Sequence, residues 1–314
     1  MLGNETWITE ILLQGFEELT DLQMLLFLAF LVIYIVAITG NSLIFVLVIF
    51  DRQLHTPMYF FLGNIAFLEV FYTSNIFPRM LWALLTGNKV ISFSKCLTQW
   101  YICADLAVTE CCLLCVMSYD RYLAVCKPLH YTTMMKTQTC AQLAATSWVS
   151  GFSISLLLLI LMLQLNFCGP NKIDHYFCDY APILKLSCSD TRVIKQLSDV
   201  VAAVFIVSPF LLTLTSYVYI IVAILKIPSI TGRKKAFSTC SSHLIVVSLF
   251  YGSIIIVYML PQNEGKQEIT KFSSLLYIVL PPLLNPFIYS LRNKEVKEGL
   301  RTIFAMIVRY KLIP

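Results

Sequence analysis

Long apolar stretches, separated by short polar segments, run through the whole chain. Stretches free of Asp, Glu, Lys and Arg cover residues 22–50, 137–171, 200–225, 236–263 and 272–291. Two further apolar stretches, at about 57–85 and 97–126, contain a few ionisable residues. A helix needs roughly 20 apolar residues to cross the hydrocarbon core of a bilayer. The pattern therefore predicts an all-α membrane protein, a bundle of seven transmembrane helices.

Two short terminal segments flank the predicted bundle. Residues 1–21 are predicted to form an extracellular N-terminal tail, residues 22–291 the seven-helix domain, and residues 292–314 a cytoplasmic helix and tail. Apolar residues of the C-terminal segment fall along one side of a helix: Leu291, Val296, Leu300 and Ile303. This pattern is typical of a short amphipathic helix on the inner membrane surface, and a solvated tail is the alternative.

Composition and charge agree with this topology. The chain is 58% hydrophobic and 13% charged, whereas typical soluble domains carry about 25% charged residues. With the N-terminus outside, the cytoplasmic segments hold 14 of the 23 basic residues, and an excess of basic residues marks the cytoplasmic side. The net charge of +5 therefore reflects membrane topology and does not indicate a nucleic-acid partner. Asn4 begins an N-glycosylation sequon in the outer tail.

Four of the eleven cysteines fall in segments assigned to the outside, where disulfides persist. They are Cys96, Cys168, Cys178 and Cys188, and four cysteines allow three pairings. The others are interpreted as small apolar side chains in or near the helices. His175-x-x-Cys178-Asp179 has the residue types of a soft-metal site. A disulfide at Cys178 would remove its thiolate, so no metal site is predicted.

Acidic residues inside the predicted spans are costly in lipid, so they mark function or internal pairing. Glu110 precedes Arg121 by about three turns, so the two face nearly the same side of the third helix. If Glu69 faces Glu110, one proton or one cation is shared, because two carboxylates in a dry site cannot both ionise cheaply. A neutral, hydrogen-bonded structural pair is the alternative. Asp105 points away from Cys103 and is expected near the outer end, off any central cavity.

Asp120, Arg121 and Tyr122 lie near the inner end of the third apolar stretch. An arginine paired with a neighbouring acid can stay partly desolvated and later offer its planar set of donors to another protein. An arginine that only extends to the membrane surface is the alternative.

Several motifs resemble those of rhodopsin-like (class A) G-protein-coupled receptors. They are "DRY" at 120–122, "NPFIY" at 285–289, the Gly40-Asn41 pair and Cys96 above the third span. Within that class, the chain is similar to the olfactory receptors in "LHTPMYFFL" (54–62), "MSYDRYLAVCKPLHY" (117–131), "SY" (216–217), "KAFSTCSSHL" (235–244) and "PPLLNPFIYSLRN" (281–293). The resemblance covers all seven spans. The long second outer loop, with three cysteines, resembles that of the tetrapod class II type.

The resemblance implies an odorant receptor that binds small volatile ligands and activates a stimulatory heterotrimeric G protein to raise cAMP. It implies a multi-pass protein of the plasma membrane with its N-terminus outside, in contact with lipid, in the cilia of olfactory sensory neurons. It implies disulfides Cys96–Cys178 and Cys168–Cys188, with Cys96–Cys188 as the alternative. It implies no cofactor.

The resemblance also assigns an activation switch at the cytoplasmic end. Arg121 would be held by Asp120 at rest and would receive the G protein once the sixth helix swings outward. The residues assigned to coupling and to this switch are Asp120, Arg121, Tyr122, Tyr217, Lys234, Lys235, Asn285, Pro286 and Tyr289. Tyr251 stands where most such receptors have a tryptophan and takes its role, and Gly252 is the candidate for a bend in the sixth helix.

The resemblance places a ligand cavity in the outer halves of helices three, five, six and seven. Helical spacing then selects its lining: Cys103, Ala104, Ala107, Val108, Cys111, Val201, Ala202, Phe205, Tyr251, Ile254, Ile255, Tyr258, Leu275 and Ile278. This lining has two tyrosine hydroxyls, a thiol and no charge, which suits a small, mostly apolar molecule with one hydrogen-bonding group. Cys103 replaces the acid of aminergic receptors, and Val279 replaces the Schiff-base lysine of opsins.

Two other functions are alternatives. A transporter or channel would account for the intramembrane acids, but the sequence has no inverted repeat and no pair of Gly/Pro-broken helices. A chemoreceptor or peptide receptor on the same scaffold, expressed outside the nose, is the second. An enzyme is not predicted, because the chain has no nucleophile–base set or phosphate-binding loop.

Overall fold

The computed structural model describes residues 8–16, 21–255, 267–292, 296, 298, 299 and 301, with only the backbone described for 235, 238, 239, 267–270 and 289–292. The helices are α1 (Gln23–Phe50), α2 (Pro57–Thr86), α3 (Phe93–Cys126), α4 (Pro128–Met134), α5 (Thr137–Leu163), α6 (Tyr180–Leu184), α7 (Arg192–Ala202), α8 (Ser208–Leu225), α9 (Ile230–Ile254) and α10 (Gln267–Arg292). The strands are β1 (Glu10–Leu13), β2 (Val90–Ser92) and β3 (Lys172–Ile173), and a 3₁₀ turn covers Arg52–Leu54. A π-helical turn, Ala203–Val207, joins α7 to α8.

Six helices within the described residues are long and apolar enough to span a membrane. They are α1, α2, α3, α5, the continuous α7–α8 helix and the Lys271–Ile288 part of α10. The seventh, α9, has a shorter apolar section, Cys240–Ile254, because its first turns carry basic residues. This arrangement confirms the predicted seven-helix bundle.

The helix ends follow local chemistry. Pro57 begins α2, where the missing N–H of proline costs no hydrogen bond. Gly87 ends the same helix with φ of 70°, a left-handed conformation that glycine adopts without steric cost. Ser229 precedes α9 and its side chain accepts a hydrogen bond from the Gly232 backbone N–H.

α3 lies at the centre of the bundle and contacts α2, α5, α8 and α9. α1 packs against α2 and α10. The backbone of Gly40 lies so close to Pro286 that an added Cβ would come within 2.8 Å of the proline ring. Beside it, the Asn41 amide donates to the Pro282 carbonyl at 2.9 Å. These contacts give a packing reason for the Gly40-Asn41 pair in the sequence.

A three-stranded sheet and two disulfides organise the outer face. β1 lies between β2, which is antiparallel to it, and β3, which is parallel. The disulfides are Cys96–Cys178 and Cys168–Cys188. The first attaches the long outer loop to the first turn of α3, so the residues after Cys178 are held over the bundle.

The predicted C-terminal amphipathic helix lies largely outside the described residues. Val296 is buried against Leu47 and Leu54 at the inner end of the bundle. The predicted glycosylation site, Asn4, also lies outside the described residues.

Candidate functional site

A cavity of about 260 Å³ lies in the outer half of the bundle, beneath the outer loop. Its volume is slightly below the range typical of sites for drug-sized ligands, roughly 300–1,000 Å³. Its lining comes from α2, α3, α5, the loop and α6, α7 with the π turn, α9 and α10: Tyr72, Trp100, Cys103, Ala104, Ala107, Val108, Cys111, Leu158, Phe177, Asp179, Tyr180, Ala181, Ser198, Asp199, Val201, Ala202, Ile206, Ile254 and Tyr277. The central part of this lining is apolar.

Eight residues predicted from helical spacing line this cavity. They are Cys103, Ala104, Ala107, Val108, Cys111, Val201, Ala202 and Ile254. The five on α3 recur at one helical face, and their small side chains leave the space that the cavity occupies. The Cys103 thiol accepts a hydrogen bond from the Asn75 amide at 3.2 Å.

Five predicted residues lie outside the lining: Phe205, Tyr251, Ile255, Leu275 and Ile278. For Phe205 the reason is the π turn, whose wider spacing brings Ile206 to the cavity instead. Ile278 is fully buried in the helix core with Leu275 packed against it, and Tyr277 is the α10 residue that reaches the cavity. Tyr258 lies outside the described residues.

Tyr251 lies below the cavity, not in its wall. Its side chain is 1% exposed, and its hydroxyl donates to the Cys111 carbonyl at 3.1 Å. Its ring packs on Phe210 with centroids 5.2 Å apart. Since Cys111 and Ile254 line the cavity, Tyr251 connects the cavity floor to α3, α8 and α9.

The outer end of the cavity is charged, so the prediction of an uncharged lining was wrong there. Asp179 and Asp199 both line it, together with Ser198 and Tyr180. Asp179 directly follows Cys178, and its carboxylate accepts from the Tyr180 backbone N–H at 2.8 Å. The disulfide to α3 is the sequence signal that could have placed these loop residues over the cavity.

The outer loop is also attached to α10. The Lys271 ammonium lies 2.7 Å from the Asp174 carboxylate and 5.7 Å from the centre of the Tyr176 ring. His175 is buried, with Nε2 3.1 Å from the Ser274 hydroxyl and Nδ1 3.2 Å from the Phe177 carbonyl. Burial lowers the pKa of His175, so the neutral ring is favoured in the folded protein.

At the end of the bundle opposite the cavity, Arg121 and Asp120 are paired. Nε and an Nη of Arg121 donate to one Asp120 oxygen at 3.1 and 2.7 Å. The other Asp120 oxygen accepts from the Tyr131 hydroxyl at 2.8 Å. Burial, followed by the neighbouring Asp120, raises the pKa of Tyr131, so its hydroxyl remains a donor. Asp120 is 0% exposed and Arg121 is 12% exposed.

The remaining switch residues are distributed around this pair. The Tyr217 hydroxyl lies 2.6 Å from Nδ1 of His243 on α9, a partner that the sequence analysis did not single out. Tyr122 packs on Tyr219 with ring centroids 5.9 Å apart, and Lys234 is exposed. The side chains of Lys235 and Tyr289 lie outside the described residues.

Glu69, Glu110 and Asn285 are buried in the middle of the bundle. The Asn285 amide donates to Glu69 at 2.8 Å, and Glu110 lies within electrostatic reach of Glu69. One oxygen of Glu110 has no hydrogen-bond partner within the described residues. Asp105 lies elsewhere, where its carboxylate accepts from Thr109 at 3.4 Å beside Gly151 of α5.

Comparison with known proteins identifies the family. Residues 30–307 match the family described as olfactory receptor. Human olfactory receptor 10A5 is 48% identical over 315 residues, covering 100% of this chain and 99% of that protein. Human olfactory receptor 2A12 is 46% identical over 303 residues, covering 96% and 98%. Mouse olfactory receptor 1M1 is 47% identical over 300 residues, covering 96% of each. The chain therefore belongs to the olfactory receptors, a family of multi-pass, G-protein-coupled membrane receptors that are not enzymes.

Proposed function

We propose that this receptor binds small, mostly apolar volatile molecules in the outer cavity and activates a stimulatory heterotrimeric G protein, which raises cAMP. The observation that carries the proposal is the layout of α3. One face of its outer half, from Cys103 to Cys111, lines the cavity, and its inner end holds the Asp120–Arg121 pair. A single helix thus links a ligand-sized space to an arginine at the cytoplasmic surface.

The proposed signal passes through α9. A ligand touching Ile254 presses on the helix that also carries Tyr251, whose hydroxyl bonds the Cys111 carbonyl. At the inner end of α9, His243 is joined to Tyr217. Outward movement of α9 would break that contact and let Tyr217 turn toward Arg121. Arg121 would then separate from Asp120 and bind the G protein. The ligand shifts the population between two arrangements.

The proposed orientation has the N-terminus outside and the protein in the plasma membrane, in the cilia of olfactory sensory neurons. The two disulfides support this orientation, because such bonds persist on the oxidising side of the membrane. The excess of Lys and Arg on the opposite segments supports it as well.

A ligand screen in cells with a cAMP reporter tests this function. At least one small volatile molecule is expected to raise cAMP, and Arg121→Ala is expected to remove most of that response at equal surface expression. Arg52→Ala is the matched control, since Arg52 is an exposed cytoplasmic arginine. An undiminished cAMP response in Arg121→Ala would contradict the proposed mechanism.

A further inference from the structure

The outer end of the cavity combines carboxylates with aromatic rings. Asp179 and Asp199 line it, as do Trp100 and Tyr180. Among the described residues of the lining there is no Lys, Arg or His. Any charge on this lining is therefore negative, and the charge lies at one end of an otherwise apolar space.

The loop side of this end is held rigidly. Asp179 is 8% exposed and caps the short helix α6 through the Tyr180 N–H. The Tyr180 hydroxyl donates to the Ile194 carbonyl of α7 at 3.1 Å. Its ring lies 6.1 Å from the ring of Trp100, with an interplanar angle of 31°. Side chains fixed in this way lose little conformational entropy when a ligand binds.

Asp199 also lines the cavity, from the polar outer helix α7. It is exposed, and it has no ion-pair partner among the described residues. Helix capping explains the position of Asp179 without a ligand, but it does not explain an acidic side chain on α7 that faces the same space. The two acids come from different elements, and both line the cavity.

A cation is the ligand group that this end favours. A carboxylate attracts an ammonium group strongly where water is partly excluded, and the faces of tryptophan and tyrosine add cation–π attraction of about 0.5–2 kcal/mol. An anionic ligand would be repelled for the same reasons. The small residues Ala104, Ala107 and Val108 leave apolar space beside this end for a hydrocarbon group.

We propose that the receptor recognises small volatile amines in their protonated form, with the ammonium group near Asp179 and Asp199 and the hydrocarbon part in the apolar half of the cavity. This inference rests on the proposed function and specifies its ligand class. It differs from recognition through an acid on α3, because position 103 is a cysteine.

A pair of molecules with matched shape tests the inference. N,N-dimethylcyclohexylamine and isopropylcyclohexane have the same skeleton, but only the amine is protonated at neutral pH. The amine is expected to raise cAMP at a concentration at least tenfold lower than the hydrocarbon. Asp199→Asn is expected to raise the half-maximal concentration of the amine at least tenfold and to leave uncharged agonists from the ligand screen within threefold.

Further variants separate charge from folding. Asp199→Glu keeps the charge and is expected to keep most of the amine response, and Asp179→Asn is expected to weaken it. Asp190→Asn is the matched control, because it removes an exposed outer-loop acid away from the cavity. Should Asp199→Asn fail to reach the cell surface, Asp179→Asn and Asp199→Glu decide the question.

The two proposals fail in different ways. Two results would overturn the amine subsite alone. The first is activation of the receptor by uncharged odorants but not by the amine. The second is an amine response that is equal in wild type, Asp199→Asn and Asp179→Asn. A receptor that is present at the surface and raises cAMP for no odorant of either class would overturn the proposed function.

Discussion

Tyr131 gives the Asp120–Arg121 pair a third member from outside α3. Asp120 is fully buried and is bonded on one oxygen by Arg121 and on the other by Tyr131 of α4. A buried carboxylate with both oxygens occupied keeps its arginine in place. The segment after α3 therefore stabilises the paired arrangement.

Tyr131→Phe is expected to raise basal cAMP. A hydrogen bond to a charged group contributes roughly 1.5–3 kcal/mol, so its loss is expected to shift the equilibrium toward the active arrangement by at least about tenfold. Basal cAMP per receptor at the cell surface is the measurement. Tyr119→Phe is the control, because Tyr119 is a partly exposed tyrosine of α3 that contacts Tyr122 through its ring alone. Basal activity at the wild-type level in Tyr131→Phe would mean that the pair does not need this hydroxyl.

Ala104→Phe is expected to silence most agonists. A phenyl ring at this position occupies much of a cavity of about 260 Å³, so an agonist that needs the same space is excluded. Half-maximal concentrations measured by the cAMP reporter should rise at least tenfold. Ala145→Phe on the exposed face of α5 should leave them unchanged. Full responses in Ala104→Phe would place the ligand elsewhere.

At the scale of elements, the outer loop and α10 are joined through polar side-chain contacts. His175 bonds Ser274, and Lys271 pairs with Asp174 beside the Tyr176 ring. Lys271 is itself 6% exposed. The loop that roofs the cavity is thus attached to α3 by a disulfide and to α10 by these side chains.

This attachment predicts a loss of stability in acid. Burial lowers the pKa of His175 below its usual 6.5, and the positive charge of Lys271 lowers it further. The carboxylates of Asp179 and Asp174 raise this pKa, but their effect is smaller than that of burial. The folded protein therefore binds fewer protons at this site than the unfolded chain, and stability is full above pH 6.5 and falls as the pH drops below it. Melting temperatures of purified receptor between pH 7.5 and 5 measure the effect. His175→Gln should flatten the curve, and His130→Gln, at an exposed position, should not. An unchanged pH dependence in His175→Gln would remove His175 as its cause.

Helical periodicity predicted the α3 wall of the cavity because α3 is a regular helix of 34 residues. Helical periodicity gave the wrong residue at Phe205 because of the π turn. The position of a π turn depends on how the backbone packs, and no periodic pattern of side chains indicates it. Helical periodicity also missed Tyr180 and Asp199. Tyr180 begins the short helix α6 within the outer connection, which the sequence analysis treated as a loop. Asp199 lies on an outer helix too polar to be included in the apolar stretch 200–225.

At the scale of the whole molecule, apolar length predicted the bundle closely. The first two stretches, 22–50 and 57–85, correspond to α1 (Gln23–Phe50) and α2 (Pro57–Thr86). The outer sheet was not predicted, because β1, β2 and β3 have only two to four residues each and show no useful alternation. These strands depend on tertiary contacts that a local pattern does not contain.

The two disulfides are expected to differ in their contribution to stability. Cys96–Cys178 closes a separation of 82 residues and Cys168–Cys188 one of 20. Loop-closure entropy then gives contributions to the free energy of unfolding of at most about 4.5 and about 3.3 kcal/mol, respectively. These values are upper limits because helices that remain in lipid already restrict the unfolded chain. The double variant Cys96→Ser/Cys178→Ser should lower the melting temperature more than Cys168→Ser/Cys188→Ser, and Cys126→Ser should leave it nearly unchanged. The reverse order would show that loop length does not govern their effect.

The π-helical turn between α7 and α8 divides the fifth transmembrane helix into two parts, and residues in one part can be substituted without changing the direction of the other. The extra residue that it stores offsets the outer part by roughly 100° from the direction an unbroken helix would give it. Exchanges in the outer part can therefore reshape the cavity wall, while the inner part keeps its alignment with α9. One local irregularity thus separates, within a single helix, the residues that line the cavity from the residues that pack against α9.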